Sequence, residues 1–299
     1  MCASTSDVNA DSRPLDAARA FLFTPANRPD RFAKAAATGA DALILDLEDA
    51  VAGAGKDAAR ANLVTHFSGD WRAMLAPGQR CGLRVNNVHT HAGLRDLAAL
   101  ADAGLRPDFV LVPKVESAFE IRLYARQLAG VPLLAAVESA RGVEAAIDIA
   151  AADGAVQGLV FGGADLAADL RASFAWEPLY AARARIVQAA AIAGIAAIDV
   201  PHFVLDDAEA LRAEAARAKA MGFTGKLAIH PKQIAPIADV FTPSEAEVAE
   251  AREIVAALEA AHGNVVEHKG RMVEGPVVRA AQRVLARAAI GAGGGKPAR

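Results

Sequence analysis

Cysteine is scarce in this 299-residue chain: there are two, Cys2 and Cys81, and one of them stands in the first residues. That excludes a disulfide framework and fits a reducing compartment, so the sequence is read as cytoplasmic. Long apolar runs are lacking too. The longest, Ala189 to Ile198, is about half of the roughly 20 residues that span a bilayer, and the polar N-terminus with Asp7 and Asp11 does not read as a secretory signal. Charge of one sign is not in excess: the formal net charge is −3, which offers no electrostatic reason to expect nucleic acid or an anionic membrane as partner. No GxGxxG follows the first predicted strand, weakening a dinucleotide-binding reading. No GxSxG elbow occurs and Cys81 opens a predicted buried strand, so a nucleophilic hydrolase has little support. His89 and His91 stand without further ligands at zinc spacing.

What is present is an alternation of short apolar runs with Ala-rich helical stretches, the pattern of parallel βα units. Eight runs predict strands: Ala20–Phe23, Ala42–Leu45, Gly82–Val85, Phe109–Val112, Leu133–Val137, Gly158–Phe161, Ala196–Ile198 and Leu227–Ile229. Several are continuously apolar, as strands covered on both faces should be. Helices are predicted over Arg31–Thr38, Ser117–Leu128, Gly142–Ala151, Leu179–Ala193 and Asp206–Ala220. Eight repeats in a chain of this length predict a TIM (β/α)8 barrel rather than an open sheet. The expected division is a disordered tail over 1–16, the barrel over 17–240, a C-terminal helical extension over 241–290 acting as lid or oligomer contact, and a flexible tail over 291–299. In the extension, Thr242 is read as the N-cap, with Pro243 at the first helical position and Glu245 three residues on. That helix runs to about His262 and Gly263, Arg271–Gly275 is a connector, and a last helix spans about Pro276 to Ile290.

The strand ends carry ionisable groups. Asp46-Leu47-Glu48-Asp49 follows the second, Arg84 and Asn86 mark the third, and Lys114, Glu138, Asp165, Asp199 and His230 follow the remaining five. In a barrel these positions converge on the C-terminal mouth, where active sites lie. Glu138 and Asp165 are candidate ligands for Mg²⁺, which takes one or two carboxylates and completes its octahedron with water and substrate oxygens. The alternatives are an ion pair of Glu138 with Arg141 and a capping role for Asp165. Gly162 and Gly163 favour the metal reading, since glycine lets backbone approach a ligand. Arg84 suits bidentate capture of a carboxylate or stabilisation of an enolate oxygen; the alternative is a salt bridge within the mouth, for instance to Glu48. The acidic cluster Asp46, Glu48 and Asp49 requires cations nearby, from Arg84, Lys56, Lys114 or metal-bound water.

With these residues in view, the sequence resembles the citrate lyase β-subunit and malyl-CoA lyase family. Arg19-Ala20-Phe21-Leu22-Phe23-Thr24-Pro25, Asp46-Leu47-Glu48-Asp49-Ala50-Val51, Lys56 with Ala59-Arg60, and Arg84-Val85-Asn86 carry the likeness. So do Pro113-Lys114, Glu138-Ser139-Ala140 with Gly142, Phe161 through Leu166, and Gly225 through Pro231, in family order over about residues 19 to 290. The resemblance implies Mg²⁺ held by Glu138 and Asp165, substrate contacts from Arg84, Glu138 and Lys114, and supporting roles for Asp46 and Glu48. It implies a hydroxyacyl thioester of coenzyme A or of an acyl carrier protein as substrate. It further implies a homotrimer or hexamer, in which the C-terminal segment of one subunit reaches its neighbour's mouth carrying an acid/base aspartate in a Met-Ile-Asp-x-Pro pattern. Here that stretch is Met272-Val273-Glu274-Gly275-Pro276, so Glu274 is the catalytic candidate, one methylene longer than the family residue.

The expected reaction is therefore Mg²⁺-dependent cleavage of a carbon–carbon bond in a malyl-, citramalyl- or citryl-type thioester. A thioesterase on the same site, and a non-catalytic thioester-binding subunit, remain as alternatives.

Overall fold

The computed structural model describes residues 15–261 and 265–292; the expected tails therefore fall almost wholly outside the described residues, as do His262 and Gly263. The fold divides into two compact units, Met1–Ala238 and Asp239–Arg299.

The first unit is a closed parallel barrel of eight strands in sequential order. Its strands are β1 (Ala20–Pro25), β2 (Ala42–Asp46), β3 (Arg80–Arg84), β4 (Val110–Val112), β5 (Leu133–Val137), β6 (Val156–Phe161), β7 (Ala196–Asp199) and β8 (Gly225–Ala228). β1 closes the ring by pairing Ala20 with Lys226 and Leu22 with Ala228. All eight predicted strands are found, with ends shifted by up to two residues. The expected helix over Gly142–Ala151 is instead two short helices, Ala140–Glu144 and Ala146–Ala150, broken at Ala145.

A strand alternates its side chains between two faces, and here one face fills the barrel. Phe21, Ala42, Ile44, Phe109, Leu111, Leu134, Ala136, Val160, Ala196, Ile198 and Leu227 form the interior cluster. Leu15, in the described end of the expected tail, belongs to that cluster. Close packing needs small residues opposite large ones. Gly82, level with Ile44 in the register, supplies one: a Cβ there would lie 2.5 Å from both the ring and the carbonyl oxygen of Phe109. The outward-facing residues, such as Leu22, Leu43, Leu45 and Leu83, are equally buried beneath the helices.

The second unit consists of a helix over Glu245–Ala260, a small antiparallel hairpin of β9 (Val266–His268) and β10 (Arg271–Val273), and a helix over Gly275–Ala292. Two readings are corrected here. Ser244, not Thr242, caps the first helix, in a reciprocal capping box with Glu247, because the helix starts after rather than at the proline. The stretch Arg271–Gly275 is not a bare connector, since Arg271 to Val273 pair with His268 to Val266.

Gly82→Ala should cost about 1–3 kcal/mol of stability, because the obstacle includes a backbone carbonyl that cannot rotate away. Urea unfolding measures it, and a change under 0.5 kcal/mol (about the size of a neutral surface substitution) would contradict the packing described.

Candidate active site

Continuing the inward alternation past the apolar interior brings the charged residues to the mouth. Ala42 and Ile44 lead to Asp46, Gly82 to Arg84, and Leu134 and Ala136 to Glu138. These three, with Asp165, Asp49, Phe23 and Pro25, line a cavity of about 400 Å³. Asp46 and Arg84 are direct partners in the β2–β3 register, which sets their side chains against each other.

Asp46 is 1% exposed, and its oxygens are fully engaged. Oδ1 accepts from Arg84 Nε and the Glu48 amide, both at 2.8 Å, and Oδ2 from Arg84 Nη2 at 2.6 Å and the Ala50 amide at 3.2 Å. Arg84 is held further by Glu48 Oε2, 3.0 Å from Nη1, and lies over the Phe23 ring at 4.5 Å. The salt-bridge alternative for Arg84 is thus realised, but it uses at most three of the five guanidinium N–H donors. Burial opposes the charge on Arg84; the hydrogen bonds and charge of Asp46, with Glu48 and Asp49, more than compensate and raise its pKa.

Glu48 accepts from Lys114 Nζ at 2.5 Å through Oε1, while the Arg84 contact at Oε2 is too poorly aligned to satisfy that buried oxygen. Burial raises the Glu48 pKa against the pull of Arg84 and Lys114. Lys114 itself sits at φ +52°, a left-handed conformation that costs a non-glycine residue of order 1–3 kcal/mol. The Asn87 amide stabilises that turn by donating to the carbonyls of Pro113 and Lys114 at 3.3 and 3.1 Å. Lys56 does not pair with the acidic side chains: its ammonium donates to the carbonyls of Leu47 and Glu48, both at 2.9 Å, and to Asn86 Oδ1 at 2.5 Å, pinning the loop from behind.

Glu138 is the opposite of Asp46. It is 6% exposed, and its Oε2 is buried with no hydrogen-bond partner among the described residues. Burial, then the charges of Glu48 and Asp165, push its pKa up to about 8 despite Arg84 and Lys114. Neither bland alternative is found. Arg141 is exposed and lies 3.7 Å from Glu116 instead; Asp165 stands exposed in the first turn of the helix Gly163–Asp169, whose N-cap Gly162 makes no side-chain capping bond. The glycines act differently from the expectation. A Cβ on Gly162 would fall 2.1 Å from Glu138 Cγ, so this glycine makes room for the carboxylate rather than for a ligand, and a Cβ on Gly163 would strike Phe161 at 2.7 Å.

Two strand-end residues leave the site. Asp199 points outward from β7 and is buried against Lys226 at 2.6 Å and Arg183 at 3.1 Å. His230 caps the turn Pro231–Gln233, its Nδ1 accepting from the Lys232 amide at 3.2 Å. Glu274 belongs to the second unit, where it is exposed and its carbonyl accepts from the amides of Val277 and Val278 at the start of the last helix. The sequence reading missed the apolar half of the mouth: Val200, Pro201, Phe203, Leu227 and Ile229 line the cavity from β7 and β8. The signal was available, since Ala196, Ile198 and Val200 continue one inward alternation.

A buried, unpartnered carboxylate oxygen beside a second carboxylate suits a hard divalent cation, which replaces the missing donors with positive charge. Among the described residues no three His, Cys, Asp or Glu side chains gather as a metal cluster. That leaves most of an octahedron to water and ligand, the habit of Mg²⁺.

A closed (β/α)8 barrel with an acid- and guanidinium-lined mouth defines the class: a TIM-barrel protein with an enzyme-type site. The family model described as HpcH/HpaI aldolase/citrate lyase matches residues 19–231, and one described as C–C bond lyase of the TIM-barrel fold matches 176–291. The chain belongs to the HpcH/HpaI aldolase/citrate lyase family, and thereby to the carbon–carbon bond lyases. It is 40% identical over 275 residues to a citrate lyase subunit beta-like protein of Mycobacterium tuberculosis, covering 90% of this chain and 94% of that one. It is 35% identical over 305 residues to the L-malyl-CoA/beta-methylmalyl-CoA lyase of Cereibacter sphaeroides, with the same coverage. A crystal structure of the CitE protein of Mycobacterium tuberculosis, in complex with magnesium, acetoacetate and coenzyme A, is 39% identical. It superposes with a TM-score of 0.78 over 92% of this chain and 100% of that one. Among the described residues no helix is long and apolar enough to cross a membrane.

Gly162→Ala should displace the Glu138 carboxylate and lower Mg²⁺ affinity by about 10–100-fold, as loss of support for a ligand typically does; calorimetric titration of the folded variant measures it, and unchanged affinity would remove Glu138 from the metal site.

The raised pKa of Glu138 also has a consequence for stability. In the metal-free protein the folded state holds this proton where the unfolded chain, with its carboxyl near 4.5, has released it. The stabilisation is therefore full below pH 4.5 and fades as pH rises through about 8. Mg²⁺, which needs the carboxylate ionised, should bind more tightly over the same rise. Melting curves with and without Mg²⁺ should diverge with increasing pH, and a Glu138→Gln variant should show no such divergence.

Proposed function

We propose that this chain is a Mg²⁺-dependent lyase that cleaves a malyl-, citramalyl- or citryl-type acyl thioester into an acyl thioester and a 2-oxo acid. The observation that carries the reading is the buried, unpaired Glu138 carboxylate beside Asp165, in a mouth where Arg84 is held rigid and still has N–H groups to offer.

Glu138 and Asp165 would hold Mg²⁺, which would supply Lewis-acid polarisation of substrate oxygens. The protein supplies the rest. Asp46 holds the Arg84 guanidinium by two hydrogen bonds, so its remaining donors are aimed before substrate arrives and cost no reorganisation. On cleavage the carbon–carbon electron pair moves towards the thioester carbonyl as an enolate, while the hydroxyl gives its proton to solvent water and its carbon becomes the carbonyl of the 2-oxo acid. Arg84 stabilises developing negative charge on oxygen, a contribution typically worth ~3–4 kcal/mol. Glu48 and Lys114 hold each other at the rim, placing an ammonium where the substrate acid enters.

The enolate carbon must then gain a proton, and Glu274 is the residue proposed to deliver it. The support is its match to the family's acid/base position, and its exposure at a helix start with no side-chain partner among the described residues. We place it in the mouth of a neighbouring copy, in a trimer or pair of trimers working in a reducing cytoplasm, where the buried thiol of Cys81 stays protonated and inert.

The decisive experiment presents malyl-, methylmalyl-, citramalyl- and citryl-CoA with Mg²⁺ and follows both the CoA species and the keto acid. Paired release of the two supports the lyase. Free thiol without keto acid would make the chain a thioesterase, and binding without turnover a thioester-binding subunit; the same panel on an acyl carrier protein identifies the carrier.

Glu274→Gln should keep Mg²⁺ affinity and oligomeric state while losing ~10²–10⁴-fold in kcat, the usual worth of a general acid or base; an unaltered kcat would sink the role of Glu274 and leave the metal assignment standing.

A further inference from the structure

Behind the apolar half of the mouth runs a chain of buried charges that the reaction above does not use. Lys226 points outward from β8 with its side chain 0% exposed, and its ammonium donates to Asp199 Oδ2 at 2.6 Å and Glu214 Oε1 at 2.5 Å. Asp199 also accepts from Arg183 Nε at 3.1 Å, and the Arg183 guanidinium lies over the rings of Phe161 and Trp176 at 4.6 and 4.4 Å. The other oxygen of Glu214 is 2.9 Å from His202 Nδ1. Burial works against the Glu214 charge, but Lys226 and His202 override it and lower its pKa.

Buried ion pairs such as Arg60–Asp96 and Arg72–Asp108 occur elsewhere, but on the outward layer of the strands themselves charges are confined to β7 and β8. The outward layer of β1 to β6 contains no charged side chain; Leu22, Leu43, Leu45, Leu83, Val112 and Leu159 meet the helices there through apolar contact. Buried ion pairs stabilise a fold little, or not at all, relative to well-packed apolar residues. What charge-assisted hydrogen bonds do supply is fixed direction. Here both ends of the chain reach loops that wall the cavity. His202 stands between Pro201 and Phe203, which line it. The His202 carbonyl accepts from Gln233 Nε2 at 2.6 Å, and Gln233 Oε1 accepts from the amides of Ile229 at 2.9 Å and His230 at 3.3 Å. The β7 and β8 loops are thereby tied to each other and to the charges beneath them.

Apolar residues line the mouth on most sides, but its β7 and β8 side carries no charged lining residue. Asp46, Arg84, Glu138 and Asp165 come from β2, β3, β5 and the loop after β6, whereas Val200, Pro201, Phe203, Leu227 and Ile229 come from β7 and β8. The acid end of a hydroxyacyl thioester belongs with the charged half; its acyl carbon and thioester, uncharged and largely apolar, belong against the other. We infer that the Arg183–Asp199–Lys226–Glu214–His202 network is a positioning device that holds the β7 and β8 loops as the wall receiving the acyl-thioester arm. The inference rests on the thioester reading of the site.

The test compares the wild-type protein with Glu214→Gln and Lys226→Met, each loaded with Mg²⁺ and titrated calorimetrically with acetyl-CoA. Glu214 is partly exposed, so its isosteric variant keeps the experiment alive should Lys226→Met fail to fold. The expected result is a Kd for acetyl-CoA raised on the order of tenfold, with a matching rise in KM for the hydroxyacyl-CoA, a kcat within about twofold and unchanged Mg²⁺ affinity. A merely structural network would lower the melting temperature and leave that split absent. A folded Glu214→Gln protein with wild-type acetyl-CoA affinity overturns the inference, as does an equal loss of Mg²⁺ affinity. Failure of the thioester reading itself shows elsewhere, in a wild-type protein that binds Mg²⁺ but no acetyl-CoA.

Discussion

The fork between Asp46 and Arg84 is the contact on which the mouth depends. Register makes the two residues neighbours across β2 and β3, and strand alternation turns both inward. Every oxygen of Asp46 is then spoken for by Arg84 and by the amides of Glu48 and Ala50. The same carboxylate thus orients the guanidinium and folds the loop that carries Glu48 and Asp49. A side chain on the barrel rim with four rotatable bonds would otherwise spend its freedom in solvent; here the ordering entropy is met during folding rather than during substrate binding.

Against that saturated pair stands Glu138. The two carboxylates are almost equally buried, yet one has donors at both oxygens and the other has an oxygen with none among the described residues. Burying an ionised group without partners is costly enough that it keeps its proton instead, as the upward shift of Glu138 to about 8 reflects. The imbalance is what supports the proposed cation at this carboxylate, and the fold makes room for the carboxylate through Gly162, whose absent side chain is the space Glu138 occupies. Membership of the aldolase/citrate lyase family and this electrostatic imbalance point to one chemistry by independent routes.

Rigidity is distributed unevenly around the ring. The charged half is fixed by contacts inside the mouth, from Asp46 to Arg84 and from Glu48 to Lys114. The β7 and β8 residues that line the cavity are uncharged, and their loops are braced from behind, by Gln233 and by the charges around Lys226. A barrel allows this because alternate residues of one strand face different layers. Val200 can therefore touch the cavity while Asp199, its predecessor, is sealed beneath a helix.

The strands themselves were legible in the sequence, because continuous apolar runs such as Leu133–Val137 have no stable home except a sheet covered on both faces. The inward position of Asp46, Arg84 and Glu138 was legible for the same reason: a period of two carries each one outward from an apolar interior. Local rules failed wherever two distant segments decide the outcome. Asp199 looked like a mouth residue, yet Lys226 and Arg183, 27 and 16 positions away, turn it into a buried counter-ion. Gly162 looked like a ligand cradle until Glu138 was seen to fill the space beside it. Sequence alone determined the barrel, its direction and the residues that crowd its rim, since these follow from periodicity along one chain. Only the tertiary structure decided that Asp46 is satisfied while Glu138 keeps an oxygen without a hydrogen-bond partner among the described residues, because hydrogen-bond partnership is a property of segments brought together through space.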